Sequence, residues 1–237
     1  MFECLLLDLD DTILDFHKAE AIMVARALKE ADVEPTEETI TLYSNINRQH
    51  WEKLERGELT REQVKVLRFD ALFRQLGISA DAESCAANYE HLLGIGHYFL
   101  PGAEEAMEVL SAKYRLFLVS NGTSAVQAGR MTSANLYRFF EKVFVSEEIG
   151  ADKPSKVYFD RCFAQIPDFA PEKALIVGDS LTSDIRGGNN AGIATCWVNP
   201  KGAPRKPDIH VDYEIRALSE LDALLEHLRA EPDGALS

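Results

Sequence analysis

The chain has 237 residues, 46% of them hydrophobic, and its 25 Lys and Arg residues against 39 Asp and Glu residues give a formal net charge of −14. This length suits one large domain or two unequal ones, and the acidic surface disfavours binding to a nucleic-acid polymer or to an anionic membrane face. The apolar runs are shorter than the roughly 20 residues of a membrane span and form no secretory signal, so we expect a cytoplasmic protein.

The first predicted element is a short buried strand. Residues Phe2 to Leu9 form an apolar run that ends abruptly in acidic residues, which is typical of a strand covered on both faces of a parallel sheet. Such a strand brings Asp8 and Asp10 to its carboxyl edge. Because an isolated apolar strand has nothing to pair with, we expect it to join a sheet formed by the second half of the chain.

A helical block follows the first strand. Thr60 followed by Gln63 predicts a capping box at the start of the third helix, and Gly77 predicts the end of that helix. Further helical stretches lie near 39–56 and 81–93, so we predict four helices in this block. Apolar residues with the i, i+3, i+4, i+7 spacing of one helix face are Ala21, Val24, Ala25 and Leu28, then Phe69, Leu72, Phe73 and Leu76.

From Pro101 onward, strands and helices alternate. Each strand is followed by a segment long enough for a right-handed crossover, which predicts a parallel sheet covered on both faces. The predicted elements are a helix at 103–112, strands at 114–120, 142–145, 174–178 and 194–198, and a last amphipathic helix with Leu218, Leu221, Leu225 and Leu228 on one face.

Together these patterns predict an α/β fold. We expect a Rossmann-like parallel sheet with helices on both faces, and an inserted all-α, four-helix cap domain. The core would comprise 1–14 and 97–237, and the cap would comprise 15–96. A cap joined by two linkers is expected to act as a lid that excludes water from the site.

Polar residues stand at the carboxyl ends of four predicted strands, where open parallel sheets hold their sites. Clustered carboxylates repel each other unless a cation neutralises them, and an all-oxygen set without His or Cys suits a hard ion such as Mg²⁺. Mg²⁺ held in this way commonly accompanies phosphate groups, so phosphoryl transfer is the expected reaction. The residues are Asp8 and Asp10 after the first strand, Ser120 and Asn121 at the second, Lys153 after the third, and Asp179 and Asp184 after the fourth.

Four motifs, in this order, resemble those of the haloacid dehalogenase (HAD) superfamily. The helical insert after the first strand is similar to the four-helix cap subclass of that superfamily, and the resemblance covers the chain to about residue 230. The motifs are Asp8-Leu9-Asp10-Asp11-Thr12 after an apolar strand, a strand ending in Ser120, the pair Lys153-Pro154, and Gly178-Asp179 with Asp184.

The resemblance implies a role for each motif residue. Asp8 would be the nucleophile that forms an aspartyl-phosphate, and Asp10 would protonate the leaving alcohol and then deprotonate water. Because dehalogenases have no use for an acid that protonates an alcohol, Asp10 disfavours carbon–halogen cleavage. The implied Mg²⁺ ligands are Asp8, the Asp10 backbone carbonyl, Asp179 and Asp184, and the implied phosphoryl contacts are Ser120, the turn at Asn121, and Lys153.

Three stretches, at 10–16, 51–62 and 178–188, together with Thr195-Cys196-Trp197, resemble bacterial pyrimidine 5′-nucleotidases of the YjjG/YfnB type. This resemblance implies a small-molecule substrate, a pyrimidine nucleoside monophosphate. Phe16, in the linker beside the site, could stack on the base, although an aromatic residue there could also belong to the cap interior. Arg56, Arg61 and Arg68 are interpreted as a solvated helical face.

Other functions stay open on the sequence alone. A sugar-phosphate or N-acylneuraminate-9-phosphate phosphatase would use the same core. A phosphoacceptor signalling module also gathers carboxylates, a hydroxyl and a lysine on a parallel sheet, but it needs neither a helical cap nor Asp10. A non-catalytic HAD homologue is disfavoured because every required side chain is present. The oligomeric state is left open.

Overall fold

The protein is described by a computed structural model over residues 1–230, and it separates into two compact units. One unit carries the strands and is here called the core unit, and the other is here called the helical unit. Of the described residues, the core unit contains Met1–Asp15, Tyr98–Ser124 and 134–230, and the helical unit contains Phe16–His97 and Ala125–Ser133.

The predicted division of the chain into a core of 1–14 and 97–237 and a cap of 15–96 stays a prediction. Residues 231–237 of the predicted core lie outside the described residues. The observed units differ from the prediction mainly at Ala125–Ser133, which belongs to the helical unit although it follows a strand of the core unit. Strand and helix periodicity does not reveal such a grouping, because the pattern of one helix does not say which unit it packs on.

The core unit is built on one sheet of parallel strands. In chain order they are β1 (Cys4–Leu7), β2 (Arg115–Ser120), β3 (Lys142–Val145), β4 (Ala174–Gly178), β5 (Ala194–Val198) and β6 (Tyr213–Ile215). Side by side their order is β3-β2-β1-β4-β5-β6. Helices cover both faces, so the predicted fold class is confirmed. The strand β6 was not predicted, because three residues give too short a pattern to recognise.

The α-helices alternate with these strands in the second half of the chain, as predicted. Of the described helices, none is both long and apolar enough to cross a membrane. In chain order they are α1 (Phe16–Glu30), α2 (Glu37–Glu55), α3 (Arg61–Leu76), α4 (Ala82–Ile95), α5 (Ala103–Lys113), α6 (Ser124–Ser133), α7 (Ser146–Ile149), α8 (Lys156–Phe163), α9 (Arg186–Ala191) and α10 (Leu221–Ala230).

The short strand β1 lies in the middle of the sheet. Its four residues are buried, and it pairs in parallel with β2 on one side and β4 on the other. Leu7, its last residue, is opposite Leu118 of β2 and Val177 of β4. Because the three strands run in the same direction, the polar residues that follow them meet at one edge of the sheet.

The helical unit follows the helix signals of the sequence. The Thr60 hydroxyl accepts a hydrogen bond from the Gln63 backbone N–H at 3.3 Å, and the Gln63 side chain accepts one from the Thr60 backbone N–H at 2.9 Å. This reciprocal pair confirms the predicted capping box of α3. Gly77 ends the same helix with a φ of 66°, a left-handed conformation that glycine adopts without strain.

The interpretation of Arg68 as part of a solvated face is wrong. Its side chain is buried, donates a hydrogen bond to the Asn47 side chain at 2.9 Å, and lies with its guanidinium 4.8 Å from the centre of the Tyr89 ring. An arginine can be buried in this way because its stem is apolar and its planar head stacks on an aromatic face. Arg56, by contrast, is exposed and pairs with Glu58.

Two glycines allow α4 and α6 to approach each other closely. A Cβ atom at position 129 would lie 2.4 Å from the carbonyl oxygen of Gly94, a distance that real structures do not contain. A Cβ atom at position 94 would have its nearest neighbour, the Cα of Val126, at 3.8 Å, which is an ordinary contact. The close approach therefore depends on Gly129 and much less on Gly94.

We expect Gly129→Ala to lower the free energy of unfolding by about 1–3 kcal/mol, because a backbone atom must move to admit the methyl group. The matched control is Gly94→Ala, which meets no crowding and gains helix propensity, so its effect should stay below about 1 kcal/mol. Urea denaturation followed by circular dichroism measures both values. Equal losses in the two variants would contradict this account of the contact.

Candidate active site

Three acidic side chains converge at the carboxyl edge of the sheet. Asp8 follows β1, Asp179 follows β4, and Asp184 lies five residues further along the chain. One carboxylate oxygen from each residue lies within 4.8 Å of the others. Asp8 and Asp184 are buried, at 6% and 1% exposure, and Asp179 is half-buried. The structure thus brings together three of the four residues that were predicted as metal ligands.

Lys153 joins two of these carboxylates. Its ammonium donates to Asp8 Oδ1 and to Asp184 Oδ1, both at 2.6 Å, and to the backbone carbonyl of Val119 at 2.8 Å. An ammonium has three N–H donors, so these bonds use all of them. Burial lowers the pKa of Lys153, but Asp184 and Asp8 outweigh that effect and raise it above its ordinary value. Lys153 is therefore a permanent positive charge within the acidic group.

One ammonium does not balance the carboxylates around it. Burial raises the pKa of Asp8, Lys153 lowers it, and the charges of Asp184 and Asp10 raise it, so that it lies at about 8. Burial also raises the pKa of Asp179 well above its usual range, again with help from Asp184 and Asp8. These carboxylates resist full ionisation without a further cation. Because all the donors are oxygens, the set fits a hard divalent ion such as Mg²⁺.

Asp184 is carried into the group by an unusual turn. Leu181–Ile185 forms one turn of π-helix, and the Ser180 hydroxyl caps it by accepting a hydrogen bond from the Ser183 backbone N–H at 3.2 Å. The Ser180 backbone N–H donates to Asp184 Oδ2 at 3.1 Å. A Cβ atom at Gly178 would lie 2.2 Å from that same oxygen, so only glycine leaves room for the carboxylate. Sequence reasoning identified the motif but not the π-turn, because such turns have no simple periodic signal.

Asn121 holds the segment that bears Lys153. Its side-chain oxygen accepts a hydrogen bond from the Lys153 backbone N–H at 2.8 Å, and its side-chain nitrogen donates to the Lys153 carbonyl at 2.8 Å and to the Ser183 hydroxyl at 3.3 Å. Asn121 therefore links three of the predicted motifs. Ser120, the last residue of β2, is 1% exposed beside it. The predicted substrate contacts of Ser120 and Asn121 stay predictions.

Asp10 stands beside the acidic group without contributing a carboxylate oxygen to it. The Asp11 backbone N–H donates to the carbonyl of Leu14 at 2.7 Å, and Asp11 adopts a left-handed φ of 56°. Aspartate tolerates this conformation better than most residues do, which explains its presence in the turn. The turn keeps Asp10 close enough for its charge to raise the pKa of Asp8.

Phe16, the remaining predicted site residue, begins α1 in the helical unit. The guanidinium of Arg130, in the same unit, lies 5.8 Å from the centre of its ring. This contact is within the range of a cation–π interaction. The predicted contact of Phe16 with a nucleobase stays a prediction.

Comparison with known proteins identifies relatives over nearly the whole chain. The sequence profile of the haloacid dehalogenase-like hydrolases matches residues 5–198. YfnB of Bacillus subtilis is 41% identical over 94% of this chain and 95% of its own length. Pyrimidine 5′-nucleotidase PynA of Streptococcus pneumoniae is 34% identical, covering 93% of each chain. Pyrimidine 5′-nucleotidase YjjG of Escherichia coli is 29% identical, covering 92% of this chain and 95% of its own.

Solved structures agree with these sequence matches. The orthorhombic crystal structure of YfnB bound to magnesium superimposes with a TM-score of 0.90, covering 94% of this chain and 98% of that chain. The L-2-haloacid dehalogenase of Xanthobacter autotrophicus has a TM-score of 0.75 at 17% identity, which indicates a shared fold and nothing further. The resemblance stated from the sequence motifs is confirmed.

We expect Asp179→Asn to stabilise the metal-free protein increasingly as pH rises. The raised pKa of Asp179 means that the folded chain binds its proton at pH values where the unfolded chain has lost it, so stability falls as pH rises through that window. Asparagine removes this dependence. In EDTA, the Tm of the variant minus the Tm of the wild type should be larger at about pH 8 than at about pH 5. The increase should be at least about 2–4 °C.

Glu105→Gln is the matched control for this measurement, because it removes one negative charge from an exposed position. Its Tm difference from wild type should stay nearly constant over the same pH range. A constant difference for Asp179→Asn as well would contradict the crowding of carboxylates described above.

Proposed function

Since this chain belongs to the haloacid dehalogenase-like hydrolases, we propose that it is a Mg²⁺-dependent phosphomonoester hydrolase whose substrates are pyrimidine nucleoside 5′-monophosphates. The observation that carries the proposal is the buried group in which Lys153 binds Asp8 and Asp184 while Asp179 lies within 4.8 Å. Such a group combines a carboxylate nucleophile, a fixed positive charge and an all-oxygen cation site at one point.

Asp8 is the proposed nucleophile. Lys153 holds Asp8 Oδ1 at 2.6 Å, which fixes the orientation of the carboxylate. In the first step a carboxylate oxygen of Asp8 forms a bond to phosphorus in line with the leaving alcohol, and the bond from phosphorus to that alcohol oxygen breaks. The product of this step is an aspartyl-phosphate and the free nucleoside.

Asp10 is the proposed general acid and base. It donates a proton to the leaving alcohol oxygen in the first step, so it must begin protonated. In the second step it takes a proton from a water molecule as that water attacks phosphorus. The bond from phosphorus to Asp8 then breaks, which releases inorganic phosphate and restores both carboxyl groups to their starting states.

The cation is the proposed partner of the remaining negative charge. Asp8, Asp179 and Asp184 would hold Mg²⁺, and the family resemblance adds the backbone carbonyl of Asp10. When bound, Mg²⁺ would supply positive charge that offsets the negative charge developing on the phosphoryl group. Lys153 and Ser120 would hold the phosphoryl group, with Lys153 exchanging one of its present hydrogen bonds for a phosphoryl oxygen.

The substrate class is supported by the named activities of relatives that span nearly the whole chain. PynA and YjjG, at 34% and 29% identity, are both pyrimidine 5′-nucleotidases. Asp10 supports phosphoester hydrolysis over dehalogenation, since a halide leaving group needs no proton. We propose that Phe16 stacks on the base. A sugar phosphate would be processed by the same core residues, so only the choice of substrate separates that alternative.

We also propose that the protein is a cytoplasmic enzyme of small-molecule metabolism. Its cysteines Cys4, Cys85, Cys162 and Cys196 are buried and free, which is usual in a reducing compartment. The formal net charge of −14 disfavours polyanionic partners.

We expect phosphate release to be highest, by kcat/KM, with UMP, dUMP and dTMP, and to disappear in EDTA. The panel also contains purine monophosphates, several sugar phosphates and N-acetylneuraminate 9-phosphate, each tested at about neutral pH with Mg²⁺. Preference for a sugar phosphate would overturn the substrate class but leave the core chemistry intact. A long-lived phosphorylated Asp8 without product release would instead favour a signalling role, and no reaction at all would favour a non-catalytic protein.

Substitutions of neighbouring aspartates test the assigned roles. Asp8→Asn should abolish turnover because an amide is a poor nucleophile, and Asp10→Asn should lower kcat by about 10²–10⁴-fold because the acid and base is lost. Asp11→Asn is the matched control, since asparagine tolerates the left-handed turn and Asp11 has no assigned chemical step. Steady-state kinetics measures all three, with circular dichroism to check folding. An active Asp8→Asn protein would contradict the nucleophile assignment.

A further inference from the structure

Trp197 contacts the main chain at Asp179, one of the three acidic residues, and no step of the proposed reaction uses Trp197. We propose that Trp197 is a positioning residue: it fixes the main chain at Asp179 and the π-turn that carries Asp184, and so sets the affinity of the acidic group for a divalent cation. This inference rests on the proposed function, because it assumes that the acidic group binds Mg²⁺.

The first observation is a direct hydrogen bond. Trp197 is opposite Gly178 in the parallel pairing of β5 with β4. From this position its indole N–H donates to the backbone carbonyl of Asp179 at 2.7 Å. The side chain is 4% exposed, so water cannot easily replace the indole as the donor to that carbonyl. The bond therefore holds the chain at the residue that bears one of the three carboxylates.

The second observation is the packing of the same ring. Trp197 belongs to a buried apolar cluster with Ile185, Ile209 and Val211, and Leu181 packs against this cluster. Leu181 and Ile185 are the first and last residues of the π-turn, and Asp184 lies between them. Trp197 thus contacts the carbonyl of Asp179 and belongs to the apolar cluster on which both ends of the turn that carries Asp184 pack.

The third observation is the lack of free space around this segment. A Cβ atom at Gly178 would lie 2.2 Å from Asp184 Oδ2, and the Ser180 backbone N–H already donates to that oxygen. The segment from Gly178 to Ser180 is therefore crowded by the Asp184 carboxylate at Gly178 and tied to the indole through the Asp179 carbonyl. If the indole N–H is lost, we expect the main chain at Asp179 to shift and to move the Asp179 and Asp184 carboxylates relative to Asp8.

Groups that orient metal ligands commonly change metal affinity by 10-fold to 100-fold when they are removed. Trp197 would act in this way through a backbone carbonyl, whereas Asn121 and Lys153 act on the opposite flank of the group. Ile209 shares the apolar cluster but has no polar atom on its side chain. A substitution of Ile209 therefore removes packing in the cluster without removing a hydrogen bond, which separates the two effects.

The test is isothermal titration calorimetry, in which MgCl₂ alone is titrated into the full-length chain. Trp197→Phe keeps an aromatic ring but removes the N–H, and we expect it to weaken Mg²⁺ binding by about 10-fold or more. Ile209→Ala should lower the Tm through lost packing while leaving the Mg²⁺ dissociation constant within about 2-fold of wild type. Equal Mg²⁺ affinities in wild type and Trp197→Phe would overturn the inference, as would equal weakening in both variants.

A second variant keeps the size and shape of the indole. Its result therefore does not depend on how well the smaller ring of Trp197→Phe packs. The chain has two tryptophans, so in a Trp51→Phe background the residue at 197 can be replaced by benzothienylalanine, in which sulfur takes the place of the indole N–H. We expect this protein to keep the Tm of its background to within a few degrees and to lose Mg²⁺ affinity as Trp197→Phe does. Unchanged affinity would overturn the inference while leaving the proposed function intact. Absence of Mg²⁺ binding by the wild-type chain would overturn both.

Discussion

The candidate site depends on a charge imbalance that the fold maintains in a buried place. Lys153 gives its three N–H groups to Asp8, Asp184 and the carbonyl of Val119, and so ties together the ends of three segments that are distant in sequence. The single ammonium does not neutralise the carboxylates around it. Burial and neighbouring carboxylates raise the pKa values of both Asp8 and Asp179. Buried charge of one sign costs folding stability. The same cost would contribute to the binding energy of a divalent cation, since such a cation would relieve the repulsion.

The sheet order makes this convergence possible. β1 lies between β2 and β4, so the residue that follows it has strand ends on both sides. Local hydrogen bonds then complete the group. The Asn121 side chain binds both backbone polar groups of Lys153, and the Ser180 hydroxyl caps the π-turn that contains Asp184. The segments that carry Lys153 and Asp184 are therefore held by hydrogen bonds between neutral groups. These bonds do not involve the carboxylates, so they do not depend on the protonation state of the carboxylates.

Much of this arrangement was predictable, and the exceptions have physical reasons. Buried strands of four to six residues that end in polar residues are easily recognised, so Asp8, Ser120, Asp179 and the parallel sheet followed from the sequence alone. The strand β6 is too short to have a period, and the π-turn at Leu181–Ile185 differs from an α-helix by one hydrogen-bond step that composition does not report. Arg68 was misread because the rule that arginine is exposed ignores its apolar stem and the tertiary partners that bury it. Contacts between residues distant in sequence, such as the hydrogen bond from the Trp197 indole to the Asp179 carbonyl, leave no local signal.

The fold by itself does not decide the reaction, because a haloacid dehalogenase shares it at 17% identity. In the proposed reaction, phosphoester hydrolysis would be distinguished by an acid that can protonate an alcohol, and the proposed acid is Asp10. The backbone after it turns at once: Asp11 is left-handed, and its N–H binds the carbonyl of Leu14. This turn lies directly after Asp10, whose charge raises the pKa of Asp8. In the proposed reaction the discriminating element would thus be a few residues at the end of β1, attached to a sheet that serves many reactions equally well.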